Sequence, residues 1–216
     1  MPKTTPTWCC IPPGALRQNI QPQPASYFFV GSSRRILLEM FGKKRPLFQS
    51  AILYPLKALP PDDLALYISR QFAAAGKDAR EASPLLASLS HGHAFYAQKL
   101  ALYAFDVSGD AVTQDDVSRA EQLVIAEQSP YFEATLQGLS AKQRVLLRAL
   151  AQGPREKILS AEFLSSCGIS LGGAQKAVQR LSALDLIEKS TPGGWQVVDK
   201  FFASWLLRNA GGAGPL

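Results

Sequence analysis

The sequence is poor in the residues on which site chemistry usually rests. It has three cysteines and two histidines in 216 residues. Cys9 and Cys10 are adjacent and poorly placed to bridge each other, so there is no disulfide framework. Cys167 lies in FLSSCGI, where a thiol ordinarily serves as a small buried filler. His91 and His93 have no cysteine or carboxylate at metal-ligand spacing, so no metal is expected. No apolar run approaches the ~18–20 residues that cross a bilayer. The opening MPKTTPTWCCIPPG lacks the continuous apolar stretch of a secretory signal. The default expectation is a cytoplasmic protein without a membrane partner.

A nucleotide-hydrolysing centre is also missing. The Gly-Lys pairs are Gly42-Lys43 and Gly76-Lys77, and the residues five places before those glycines are Leu37 and Gln71. Neither pair completes a phosphate-cradling loop, which needs glycine at both ends. No apolar strand ending in Asp-Glu precedes Tyr27 to hold Mg²⁺. No Ser-His-Asp or Cys-His arrangement stands out, so no catalytic residue is assigned.

What is present is a globular composition, 47% hydrophobic and 19% charged, with net charge +6. The charge is unevenly spread. Residues 34–59 carry six basic residues and one acidic, residues 60–139 five basic and eleven acidic, and residues 140–216 ten basic and five acidic. A basic end behind an acidic middle points to separate modules, one of which could face a polyanion.

Along the chain, residues 1–26 hold six prolines and read as an irregular leader. Tyr27–Val30 is a fully apolar run closed by Gly31, the pattern of a central strand covered on both faces. Ser32 or Ser33 can cap the helix RRILLEMF that follows. A central strand must pair on both edges, so the sheet to which it belongs is expected to lie largely outside this sequence. Residues 60–139 read as four or five helices: PPDDLALYISRQFAAAG, REASPLLASLSHG, HAFYAQKLALYAFD, TQDDVSRAEQLVIAEQ and SPYFEATLQGL, with Thr113 as a cap.

Residues 140–210 carry the sharpest signal. SAKQRVLLRALAQG, SAEFLSSCG and ISLGGAQKAVQRLSALDLI predict three helices, the last with Ala174, Val178, Leu181 and Leu184 on one stripe. LIEKS and WQVVD predict two strands around a Pro-Gly-Gly turn, before FFASWLLR. Three helices and a hairpin in this order make a winged helix-turn-helix. On its third helix Gln175, Lys176, Gln179 and Arg180 are candidates for a DNA groove, with Lys189 and Lys200 as candidates for phosphates. Residues 211–216 read as a disordered tail.

Taken in order, these segments resemble the rear half of a STAND-type AAA+ ATPase, over about residues 16–208. YFFVGSSRR resembles the sensor-1 strand, and SHGHAFYAQKLALYAF is similar to the lid motif, with Ala94 where the family has proline. The resemblance implies a mainly α protein: a remnant α/β sensor-1 segment (27–59), a helical lid bundle (60–139) and a winged helix (140–210). It also implies nucleotide contacts from Ser32, Ser33, Arg34, Arg35, Gly92 and His93. Arg34 and Arg35 read equally as a solvated helical turn, and His93 as a packing residue of the lid. The family uses ATP and Mg²⁺, but no tight binding is expected without the P-loop part. The implied function is that of an N-terminally truncated, non-catalytic relative of a nucleotide-dependent switch. The alternatives are a winged-helix DNA-binding module, and a protein partner or self-association through the exposed core remnant.

Overall fold

The computed structural model describes residues 56–190 and 194–209, with scattered positions between 18 and 54. The chain divides into two compact units, Met1–Pro55 and Leu56–Leu216. In the first, Met40 and Phe41 are helical, in keeping with the predicted RRILLEMF helix. Tyr27 and Phe28 lie outside helix and strand, and Phe28 is 94% exposed. The buried strand is therefore not formed at its first two positions. The physical reason is that Phe28, an apolar side chain expected to be covered on both faces, stands in solvent instead. Phe29, Val30 and the candidates Ser32, Ser33, Arg34 and Arg35 lie outside the described residues.

The second unit begins with α1 (Pro61–Ala74), α2 (Ser83–Leu89), α3 (Ala94–Val107) and α4 (Gln114–Gln137). Proline at the first position of α1 and Asp62 and Asp63 in its first turn favour initiation there. Leu64, Ile68 and Phe72 recur every four residues and are buried. Lys77, from one of the two Gly-Lys pairs, donates to the carbonyls of Phe105 (2.5 Å) and Ser108 (2.7 Å). It thereby closes the C-terminus of α3, where a cation is electrostatically favoured.

Thr113 opens α4 with a reciprocal cap. The Asp116 amide donates to Thr113 Oγ1 at 3.2 Å, and the Thr113 amide donates to Asp116 Oδ2 at 2.9 Å. The two helices expected over 114–138 are one, and Pro130 lies inside it. Proline removes one intrahelical bond, but Ile125 and Phe132, on either side of it and seven residues apart, are both buried. Packing on one face holds the helix together across the break.

The remaining elements are α5 (Ala141–Ala151), α6 (Ala161–Cys167), α7 (Leu171–Ala183), β1 (Ile187–Ser190), β2 (Gly194–Val197) and α8 (Lys200–Arg208). They give the helix order and hairpin of a winged helix, and the protein is mainly α. Cys167, at the end of α6, is half-buried and free. The strands pair antiparallel with Ile187 opposite Val197 and Lys189 opposite Trp195. Arg155 adds one further rung, exchanging both backbone bonds with Trp195 at 2.9 and 2.8 Å. Gly194 must be glycine there. Its φ is +82°, and a Cβ would collide with the Arg155 carbonyl.

One hydrophobic core runs from Leu64 to Leu206 and spans the 139/140 division suggested by the sequence. Helix α8 joins its parts. Phe202 stacks on Phe132 of α4 at 4.9 Å, and Phe201 stacks on Tyr96 of α3 at 4.0 Å between ring centroids. Trp205 Nε1 donates to Ser129 Oγ at 2.6 Å, and Tyr96 donates its hydroxyl to Asp199 Oδ2 at 2.5 Å. Asp199 also accepts the amides of Phe201 and Phe202, capping α8 with its other oxygen. No described helix is long and apolar enough to cross a membrane.

Candidate nucleic-acid interface

Helix α7 starts where its sequence permits. Ser170 caps it by accepting from the Gly173 amide, and Gly168, in the left-handed region at φ 63°, ends α6 just before. Ala174, Ala177 and Leu181 are buried and Val178 is half-buried, which fixes the inward face. Leu184 departs from the predicted stripe. It is the residue that closes the helix and is 39% exposed, because the chain turns away at Asp185 with φ 55°.

The inward face dictates the outward one. Gln175, Lys176, Gln179 and Arg180 are all exposed, at the i, i+1, i+4, i+5 spacing of one helix side. Helix α7 carries no carboxylate. Lys189 is exposed on β1. The described ion pairs are Arg80–Asp78, Lys99–Glu127, Arg119–Asp116 and Arg208–Glu121. None of them engages Lys176, Arg180 or Lys189. The acidic neighbours are Asp185, which is exposed, and Glu188, which accepts from Gln196 Nε2 at 3.2 Å.

A further cation belongs with this set. A Cβ placed on Gly173 would lie 3.1 Å from the Lys142 side chain, so the stem of Lys142 crosses the first turn of α7. Lys142 is exposed and also absent from the described ion pairs. In the sequence it lies within an amphipathic helix and carries no further signal of its own. The signal that could have found it is the Gly172-Gly173 pair, since glycines at a helix start commonly admit a neighbouring chain. Lys200 departs from its expected place. It is half-buried, donating to Gln196 Oε1 at 2.8 Å and to the Val197 carbonyl at 3.3 Å.

The nucleotide candidates Gly92 and His93 lie elsewhere, in the turn from α2 to α3. Gly92 is buried with φ +72°, and its carbonyl accepts from the Leu59 amide at 3.0 Å. A Cβ there would come within 2.6 Å of the Leu59 oxygen, so backbone packing already requires glycine. His93 is exposed at the start of α3, its ring 5.3 Å from Tyr96 and 6.4 Å from Phe95 between centroids. Tyr96 is directed inward to Asp199, and its phenol is held well above its usual pKa by burial and by that carboxylate.

A family model described as "Probable winged helix domain" matches residues 130–208. Its match starts at Pro130, inside α4, and ends with α8. No curated protein matches the chain.

Proposed function

We propose that the winged helix of this chain binds duplex DNA, with α7 in the major groove and the β1–β2 hairpin alongside the backbone. The observation that carries this reading is the exposed stripe Gln175, Lys176, Gln179 and Arg180, on a helix without carboxylates and outside every described ion pair. Glutamine can pair with adenine, and arginine or lysine with guanine, through two hydrogen bonds at base edges. Lys142 and Lys189 suit phosphate contacts that set register. The test is fluorescence anisotropy on random duplexes across a salt series. Lys142→Ala or Lys189→Ala should weaken binding for all sequences and flatten the salt slope by about one contact each. Arg180→Ala should cost about 1–3 kcal/mol on a selected site and relax its preference. No duplex affinity even at low ionic strength would sink the reading.

A second reading rests on the resemblance to STAND-type AAA+ ATPases, as a non-catalytic relative of a nucleotide-dependent switch. The order Gly92, His93, Phe95, Tyr96 at the start of α3 favours it. It expects weak or no ATP binding by the isolated chain, measured by equilibrium dialysis. Micromolar affinity, or magnesium-dependent turnover, would overturn the non-catalytic part. A protein partner is supported by the apolar groove of about 550 Å³ between α1 and α3, where Tyr67 is 60% exposed. A strict monomer in light scattering would count against self-association.

A further inference from the structure

The cleft beneath the α2–α3 turn has a composition that the duplex reading does not use. It encloses about 190 Å³ and is lined from four directions: His91 from the turn, Gly153 from the α5–α6 loop, Gln196 from β2, and Lys200 and Ser204 from α8. The rest of its wall is apolar apart from backbone, including Leu150, Val197 and Leu207. Among the described residues no carboxylate lines it, and Lys200 is the one lining side chain that carries a permanent charge at neutral pH.

An ammonium in such a place is poorly compensated. Lys200 has three donors, and two are committed to Gln196 Oε1 and the Val197 carbonyl. The acid that acts on it, Glu188, is linked to it through Gln196, whose amide donates to Glu188 Oε1 at 3.2 Å. Asp199 is turned the other way, towards Tyr96 and the amides of α8. Lys200 is half-buried, which disfavours its charge; His91 is exposed at the rim, and the partial burial of its ring lowers its pKa, with Lys200 adding repulsion. His91 is held in this position by a left-handed backbone, φ 50°, which non-glycine residues rarely adopt.

We infer that this cleft is a binding site for a small phosphate-class oxyanion, held by Lys200, Ser204 and His91. An oxyanion would take the third Lys200 donor and the Ser204 hydroxyl, and would offset the desolvation of the ammonium. It would also favour protonation of His91, which gains a second charge-assisted bond. The elements facing His91 contribute no other titratable lining group, since α5, the loop and β2 offer Leu150, Ala151, Gly153, Pro154, Gln196 and Val197. Binding should therefore strengthen as pH falls towards the histidine range. The site does not rest on the duplex reading.

The test is an NMR pH titration of the two histidines of the whole chain, in inorganic phosphate and in chloride at equal ionic strength. His93, likewise exposed but outside the cleft, serves as the internal reference. Phosphate should raise the His91 pKa by about one unit and leave His93 unmoved. Lys200→Met should abolish that shift and Lys200→Arg should keep most of it, with circular dichroism confirming that both fold. Equal shifts at both histidines, no shift at all, or loss of the effect in folded Lys200→Arg would overturn the site. So would a His91 shift produced by duplex DNA and not by phosphate, which would assign Lys200 to the DNA surface.

Discussion

The helices before residue 140 and the winged helix after it carry opposite surface charge, yet they bury their apolar faces in one core. The acidic part pairs three of its five cations with carboxylates: Lys99 with Glu127, Arg119 with Asp116, and Arg80 with Asp78. The basic part leaves Lys142, Lys176, Arg180 and Lys189 outside every described ion pair. Exposed pairs contribute little to stability, so the difference matters for partners and hardly for folding. The core decides what folds together, and the surface decides what is recognised.

The largest expected effect tests the shared core. Phe132 is 1% exposed and packs against Phe202 and Trp205. Phe132→Ala should cost about 3–5 kcal/mol. In urea, a probe in α3 and a probe in α7 should lose structure together in the wild type. Two separate transitions would show that the two parts fold independently. An intermediate effect compares three tight turns. Gly194→Ala should destabilise by more than the ~1–2 kcal/mol of a left-handed alanine, because the Arg155 carbonyl occupies the space. Gly76→Ala should cost only that conformational term, since nothing lies within 4 Å of its Cβ position. Gly92→Ala should resemble Gly194→Ala, and thermal denaturation ranks the three. If Gly92→Ala behaved like Gly76→Ala, the packing account of Gly92 would fail.

A smaller effect concerns the start of α4. Thr113→Ala removes half of the reciprocal cap and should cost about 1 kcal/mol. Hydrogen bonds from the Thr113 amide and hydroxyl hold the Asp116 carboxyl below its ordinary value, with Arg119 adding to them. A lowered folded pKa means that this contribution is present above the ordinary value of 3.8 and is lost as pH falls through the folded one. Asp116→Asn should therefore narrow the stability gap to wild type as the solution is acidified below pH 3.8, measured by urea midpoints.

The hairpin and the helices flanking it were legible because turn chemistry and spacing agree there. Ser160 and Ser170 sit at helix starts, and Gly168 and Gly194 adopt the left-handed backbone on which only glycine is easy. The exposed face of α7 was legible for the same reason, since Ala174, Ala177 and Leu181 leave Gln175, Lys176, Gln179 and Arg180 no other side. The continuity of α4 was not, because proline is a strong local signal and the packing of Phe132 is a distant one. The shared core and the place of Lys142 were equally hidden, as both depend on contacts between segments far apart in sequence. The half-burial of Lys200 was hidden as well, because a lysine just after a strand reads as solvated and its contacts to Gln196 and Val197 do not show in the pattern.

The rung between Arg155 and Trp195 ties the hairpin to the connection that precedes α6. The direction in which the wing points is thus inherited from a segment that is neither of its strands. Lengthening or shortening the chain between Gln152 and Ser160 would swing the hairpin while leaving α7 seated. A change of length there would present the wing at a different angle beside an unchanged α7.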